Sequence, residues 1–255
     1  MITTGFSLHG KVGIVTGSRQ GIGKAIALAI ASAGADVVVS DQTAADGQLD
    51  TVAAEIQKLG QRTLAIQADI SQKTDVDNLV QTVLTEFGAI DILVNNAGII
   101  IRTPLMDTPE EDWDKVIDTD LKGYCLCAQA AGRHMMSRNN GVIVNIASSL
   151  GLKVKKNSGA YCIAKAGVIM LTRVLAVELG SYNIRVNAIA PGIVETEFSK
   201  SLWSNPEIRK QHEAITPLGC FAQPDDIVGT VLFLASDFSS RITGQTVLID
   251  GGTGL

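Results

Sequence analysis

Short apolar, β-branched runs alternate along this chain with longer stretches in which apolar positions recur every three or four residues. The runs predict strands at residues 12–16, 36–40, 63–68, 90–95, 142–147, 185–190 and 246–250. The stretches between them predict helices, the first an Ala-rich one over 24–33. Thr108-Pro109-Glu110-Glu111 reads as a helix start, with a threonine side-chain cap, proline in the first turn and acids at the positive helix end. The repeated strand–helix order predicts an α/β fold: one doubly wound sheet of seven parallel strands with helices on both faces. No linker composition divides residues 1–255, so a single domain is expected. Residues 191–224 show no strand pattern and carry an amphipathic piece around 208–215. An irregular segment beyond a strand's carboxyl end is where a lid over a substrate site belongs, here near 193–222.

Composition narrows the class. With 46% hydrophobic and 18% charged residues in 255, the chain can bury a sizeable core and is not a disordered one. Aromatics are only 4%, so Ala, Val, Ile and Leu must build that core. The net charge of -5, without a long basic stripe, argues against nucleic acid as a partner. The opening MITTGFSLHG lacks a charged and an apolar leader region, and no stretch reaches about 18 uninterrupted apolar residues. A cytoplasmic chain without a membrane partner is expected. Four cysteines show neither zinc nor disulfide spacing, and three histidines are scattered, so no metal site is expected.

Two constellations carry candidate chemistry. Thr16-Gly17-Ser18-Arg19-Gln20-Gly21-Ile22-Gly23 follows the first strand and opens a helix. Such a turn lets backbone approach a pyrophosphate at a helix N-terminus, although alone it is also an ordinary tight connection. Asp41 lies 24 residues after Gly17 at the second strand's end, where a carboxylate accepts from adenosine ribose hydroxyls and repels a 2′-phosphate. Arg19 sits inside the turn and can reach a phosphate, while Gln20 is neutral; the balance favours NAD over NADP. In the second constellation, Tyr161 and Lys165 are four apart on a predicted helix and share a face. An ammonium beside a phenol lowers the phenol towards neutrality, which makes Tyr161 a candidate acid/base. Ser148, at the fifth strand's end, has a hydroxyl placed to bond a substrate oxygen.

Taken together these motifs make the chain resemble the short-chain dehydrogenase/reductase family, whose members have a Rossmann fold. The resemblance spans essentially the whole chain and adds Asp69, Asn95-Asn96-Ala97-Gly98, the 13-residue spacing from Ser148 to Tyr161, and Pro191-Gly192 followed by Thr196. It implies that Tyr161 exchanges a proton with the substrate oxygen, that Lys165 tunes it and binds the nicotinamide ribose, and that Ser148 orients the substrate. It further implies an adenine contact at Asp69, a nicotinamide contact at Thr196, and a cofactor groove lined by Ile22, Ile70, Asn95, Ala97, Gly98, Pro191, Gly192 and Val194. A homotetramer formed through the fourth and fifth helices is implied as well.

One position departs from the family pattern. Asn-Leu-x-Gly is usual, and here Asp120-Leu121-Lys122-Gly123 stands instead. The family's Asn belongs to the catalytic set and acts through its main-chain carbonyl, so an isosteric Asp keeps that geometry, while its charge favours protonated Lys165 and opposes a Tyr161 phenolate. The expected function is an NAD-dependent oxidoreductase interconverting a secondary alcohol and a ketone. The alternatives are an NADP-dependent 3-oxoacyl-carrier-protein reductase and a cofactor-binding regulatory protein without turnover. Arg102 after the Asn95–Gly98 stretch, with Lys153, Lys155 and Lys156 between Ser148 and Tyr161, points to an anionic substrate such as a sugar acid.

Overall fold

The computed structural model describes residues 6–255; the first five residues, part of the opening read above for a leader, lie outside the described residues. Seven strands form one sheet: β1 (Val12–Thr16), β2 (Asp36–Asp41), β3 (Thr63–Gln67), β4 (Ile92–Asn95), β5 (Gly141–Ile146), β6 (Ile184–Pro191) and β7 (Thr246–Ile249). All pairs are parallel, in the order β3-β2-β1-β4-β5-β6-β7. The strand ends fall within two residues of the sequence expectation. Because successive side chains leave opposite faces of a strand, β1 sends Ile14 into one core and Val15 into the other, and β2 divides Val38 from Val37 and Val39 in the same way.

Helices α1 (Gly21–Ser32), α2 (Gln48–Lys58) and α9 (Asp225–Ala235) cover the face carrying Val15, with Ile26, Ile56 and Val231 buried there. Helices α3 (Lys73–Phe87), α5 (Gly123–Arg138) and α6 (Gly159–Leu179) cover the other, burying Leu79, Ala128 and Val168. The chain runs from β1 outward to β3, then returns to lay β4 on the other side of β1. That reversal opens a crevice above the carboxyl ends of β1 and β4. The segment Gly159–Tyr182 is long and apolar enough to cross a membrane by length and composition. Here it lies along β6 and buries Tyr161 and Lys165 in the protein interior.

Helix α4 (Glu110–Ile117) departs from its expected start. Pro109 takes the capping position with ψ 148, and no side chain caps the helix. The Thr108 hydroxyl donates instead to Pro104 O at 3.1 Å, because the preceding Leu105–Asp107 turn offers it a nearer carbonyl. Between α4 and α5 the chain makes one wide π turn, Asp118–Lys122. The segment expected to be irregular contains two short helices, α7 (Lys200–Trp203) and α8 (Pro206–Ile215), plus a lone parallel bridge between Val194 and Ala222. Asn205 caps α8, accepting from Glu207 N at 3.0 Å and Ile208 N at 3.2 Å.

Candidate active site

The strand ends are laced together before any cleft is formed. Thr16 Oγ1 accepts from Asn96 N at 3.0 Å and Ala97 N at 3.2 Å. Asn96 Nδ2 donates to Thr16 O and Gly17 O, both at 2.9 Å. Ser18 Oγ donates to Val15 O at 2.8 Å and accepts from Ser40 N at 2.9 Å. The glycines are required by this closeness. Gly17 has φ +62, and a Cβ there would stand 2.5 Å from Ala97 Cα; one on Gly23 would stand 2.2 Å from Gly17 O. Helix α1 starts with no side-chain cap and no acid in its first turn. Its free N–H groups and positive dipole end therefore face the cleft between Gln20 and Ile22. These uncapped donors fit the pyrophosphate of a dinucleotide.

A cleft of about 500 Å³ runs from this turn across the sheet edge. It brings together Gly17, Arg19, Gln20, Gly21, Ile22, Gly23, Asp41, Asp69, Ile70, Ala97, Gly98, Pro191, Gly192, Val194 and Thr196. Asn95 is not among them. It is fully buried beneath the floor, where Nδ2 donates to Asn145 Oδ1 at 2.9 Å, and Asn96 lines the cleft in its place. The cause is strand alternation: Asn95 ends β4 pointing into the core, and the next residue faces outward. Asp41 Oδ1 accepts from Thr43 N at 3.0 Å and stands 3.7 Å from Arg19 Nε.

Ser148, Tyr161 and Lys165 line the same cleft farther along, with Asp120 beside them. Lys165 Nζ lies 3.2 Å from Asp120 Oδ2, 3.2 Å from Tyr124 Oη and 3.1 Å from Ile146 O. Two hydrogen bonds, to Tyr124 Oη and Ile146 O, and the ion pair with Asp120 fix this buried ammonium. Asp120 is held from its other side, Oδ1 accepting from Ile99 N at 2.8 Å. The π turn carries Asp120 at its centre, and Tyr124 follows on the first turn of α5, so one irregularity aims both groups at Lys165. Burial pushes the Asp120 carboxyl up, against the pull of Lys165. Tyr124 was not singled out by the sequence, since a tyrosine on a core-facing helix position carries no mark of chemistry.

The phenol of Tyr161 differs from expectation. Burial pushes it up to about 12, and the Lys165 charge, with the Ser148 hydroxyl, offsets only part of that rise while Asp120 adds to it. Desolvation of the phenolate outweighs an ammonium whose Nζ is 5.7 Å from the ring centroid. At the substrate end, Arg102 bonds Ser158 Oγ at 3.4 Å and has no carboxylate partner among the described residues. Lys155 feels its charge and is lowered, mainly by burial and then by Arg102. Lys153, expected to meet substrate, donates to Thr253 O at 3.2 Å and stands 3.7 Å from Asp250 Oδ2. It lines the cleft while tied to the carboxyl-terminal segment. Phe198, Leu202, His212 and Ile215 close the same end from the 193–222 segment, residues that the pattern alone did not mark.

Comparison with known proteins agrees with this geometry. A family model described as Enoyl-(Acyl carrier protein) reductase matches residues 16–254. A 3-oxoacyl-[acyl-carrier-protein] reductase of Synechocystis sp. is 42% identical over 250 residues, covering 96% of this chain and 98% of that protein. An NAD-dependent glycerol dehydrogenase of Listeria innocua is 40% identical over 247 residues, covering 97% and 95%. The solved structure of a gluconate 5-dehydrogenase from Burkholderia cenocepacia, in complex with NADP and tartrate, superposes with a TM-score of 0.93 at 34% identity, covering 97% of this chain and 96% of that one. The chain belongs to the short-chain dehydrogenase/reductase family and is an NAD(P)-dependent oxidoreductase acting on CH–OH groups.

Proposed function

We propose that the protein interconverts a secondary alcohol and a ketone with NAD, using Tyr161 as general acid/base. The observation that carries this reading is the meeting of Ser148, Tyr161 and Lys165 in one cleft with the uncapped α1 terminus. The dinucleotide, when bound, supplies or takes up the hydride. The glycine turn with Ile22 holds its pyrophosphate, Asp41 its adenosine ribose, Asp69 and Ile70 its adenine, and Gly192, Val194 and Thr196 its nicotinamide end. Tyr161 gives its proton to the substrate oxygen in reduction and takes it back in oxidation. Ser148 orients that oxygen, and Lys165 contributes a fixed positive charge that lowers the phenol against its burial.

NAD is favoured because Asp41 borders the 2′ position with Oδ2 free of hydrogen bonds among the described residues. The substrate is an anionic hydroxy compound of the sugar-acid class: Arg102 and Lys155 face one cleft without a neutralising carboxylate, and Arg grips carboxylates with paired N–H groups. The tartrate complex of the gluconate dehydrogenase supports that class. Assembly into a homotetramer is supported by Ile163, Met170, Val174 and Val177, exposed along one face of α6. A second reading, a carrier-protein reductase using NADP, is favoured by the Synechocystis relative.

The deciding experiment follows nicotinamide absorbance over a panel of hydroxy acids, their neutral alcohol analogues and a 3-oxoacyl thioester, each with NAD(H) and NADP(H). The reading expects higher kcat/KM for the acids with NAD. Turnover confined to the thioester with NADPH would replace it by the second reading.

A further inference from the structure

Three charged side chains meet at the carboxyl end of β2. The Arg19 guanidinium bonds Asp46 through Nη1, while its Nε stands 3.7 Å from Asp41 Oδ1. That Nε is buried and has no hydrogen-bond partner, so Arg19 is drawn towards Asp46 rather than seated on Asp41. Arg19 and Asp41 are only 18% and 15% exposed, which leaves their charges poorly screened. Asp46 is itself fixed, its second oxygen accepting from Gln48 N at 3.1 Å where α2 begins. Unlike Arg19 and Asp41, it does not line the cleft; it holds Arg19 from behind.

We propose that Asp46 is a positioning residue for cofactor choice, acting through Arg19. By occupying Nη1 it keeps the guanidinium from turning its forked N–H groups to a 2′-phosphate, whose oxygens that fork would otherwise match. A guanidinium between two carboxylates also leaves net negative charge around the 2′ position. The ribose hydroxyls of NAD donate to Asp41 and are unaffected, whereas a phosphate of about two negative charges is opposed. The inference rests on the dinucleotide assignment of the cleft and adds a residue that no glycine-turn motif contains.

Asp46→Asn removes one charge and releases Arg19, and both changes favour the phosphate. Because Asp46 sits on a surface loop, the variant is expected to fold. NADH and NADPH differ only by the 2′-phosphate, so their dissociation constants are measured by nicotinamide fluorescence without substrate, at low and at about 0.15 M salt. The expected result is a fall of about tenfold in the NADPH/NADH Kd ratio for Asp46→Asn, with NADH binding changed less than about twofold. Asp46→Glu should restore the parent ratio, and adding Arg19→Ala to Asp46→Asn should remove most of the gain. A ratio within about twofold of the parent in Asp46→Asn overturns the proposal. So does a gain left undiminished by Arg19→Ala, since the effect would then be bare charge and not positioning. If the parent protein binds neither NADH nor NADPH, the dinucleotide reading fails and takes this inference with it.

Discussion

Replacing Asp120 by Asn removes a buried negative charge while its oxygen can still accept from Ile99 N, so the perturbation is electrostatic with little change of shape. Asp120 Oδ2 is 3.2 Å from Lys165 Nζ, which is 5.7 Å from the Tyr161 ring centroid. The two distances place the Tyr161 ring centroid within about 9 Å of Asp120; at an effective dielectric constant of about 20, a unit charge at that distance is worth about 1.8 kcal/mol, or roughly 1.3 pH units. The sign follows from the base form: in the proposed role oxidation needs the Tyr161 phenolate, so its rate rises with pH through the Tyr161 titration. Removing a charge that holds the phenol up moves that rise to lower pH. The assay is the pH dependence of kcat for alcohol oxidation at saturating NAD, parent against variant, with a thermal melt to show that the variant is folded. The acid-limb midpoint should fall by about one unit or more, and the rate below that limb should increase about tenfold. A midpoint that stays within about 0.3 units would refute the reasoning. Asp120 would then be protonated at working pH, its burial having overcome Lys165.

Tyr161→Phe should lower kcat by about 10²–10⁴-fold while NADH affinity, read by fluorescence, stays within about twofold; retained turnover would sink the proton-transfer role. Gly23→Ala forces a Cβ to within 2.2 Å of Gly17 O and 2.5 Å of Asn96 Nδ2. It should cost about 1–3 kcal/mol, seen as a fall of several degrees in the melting temperature together with weakened NADH binding. An unchanged melt would mean that the turn yields more readily than its lacing suggests. Arg102→Ala should erase the preference for a hydroxy acid over its neutral analogue in kcat/KM without altering NAD affinity, and a preserved preference would move the anion contact elsewhere.

The frame of the molecule was open to reading from the chain because parallel strands buried on both faces are written as unbroken β-branched runs. The glycine turn was equally open, since its glycines answer a steric demand that no other residue meets. What stayed hidden depended on which partner each side chain meets once the chain is folded. Whether Asn95 or Asn96 faces the cleft turns on a one-residue difference in strand phase. The Thr108 side chain chose a carbonyl four residues back over the helix it precedes. Lys165 alone promised a lowered phenol, but the burial of Tyr161, with the Asp120 carboxylate beside that lysine, reverses the direction. Tyr124 could be seen only once the π turn set it beside Ile146 O, to which its hydroxyl donates at 3.1 Å.

The lacing of the strand ends by Thr16, Ser18 and Asn96 has a consequence for how this protein can diverge. The glycine turn and Asp41, proposed to hold the pyrophosphate and the adenosine ribose, are anchored to that laced floor. Phe198, Leu202, His212 and Ile215, which also line the cleft, hang instead from a segment whose two ends are bridged to each other at Val194 and Ala222. Selection on substrate can therefore rewrite the overhanging segment while the hydride-handling half stays intact. Grafting residues 198–215 between relatives, with Val194 and Thr196 left in place, is then an exchange of menus over a shared kitchen, the proposed cofactor choice staying behind at β2.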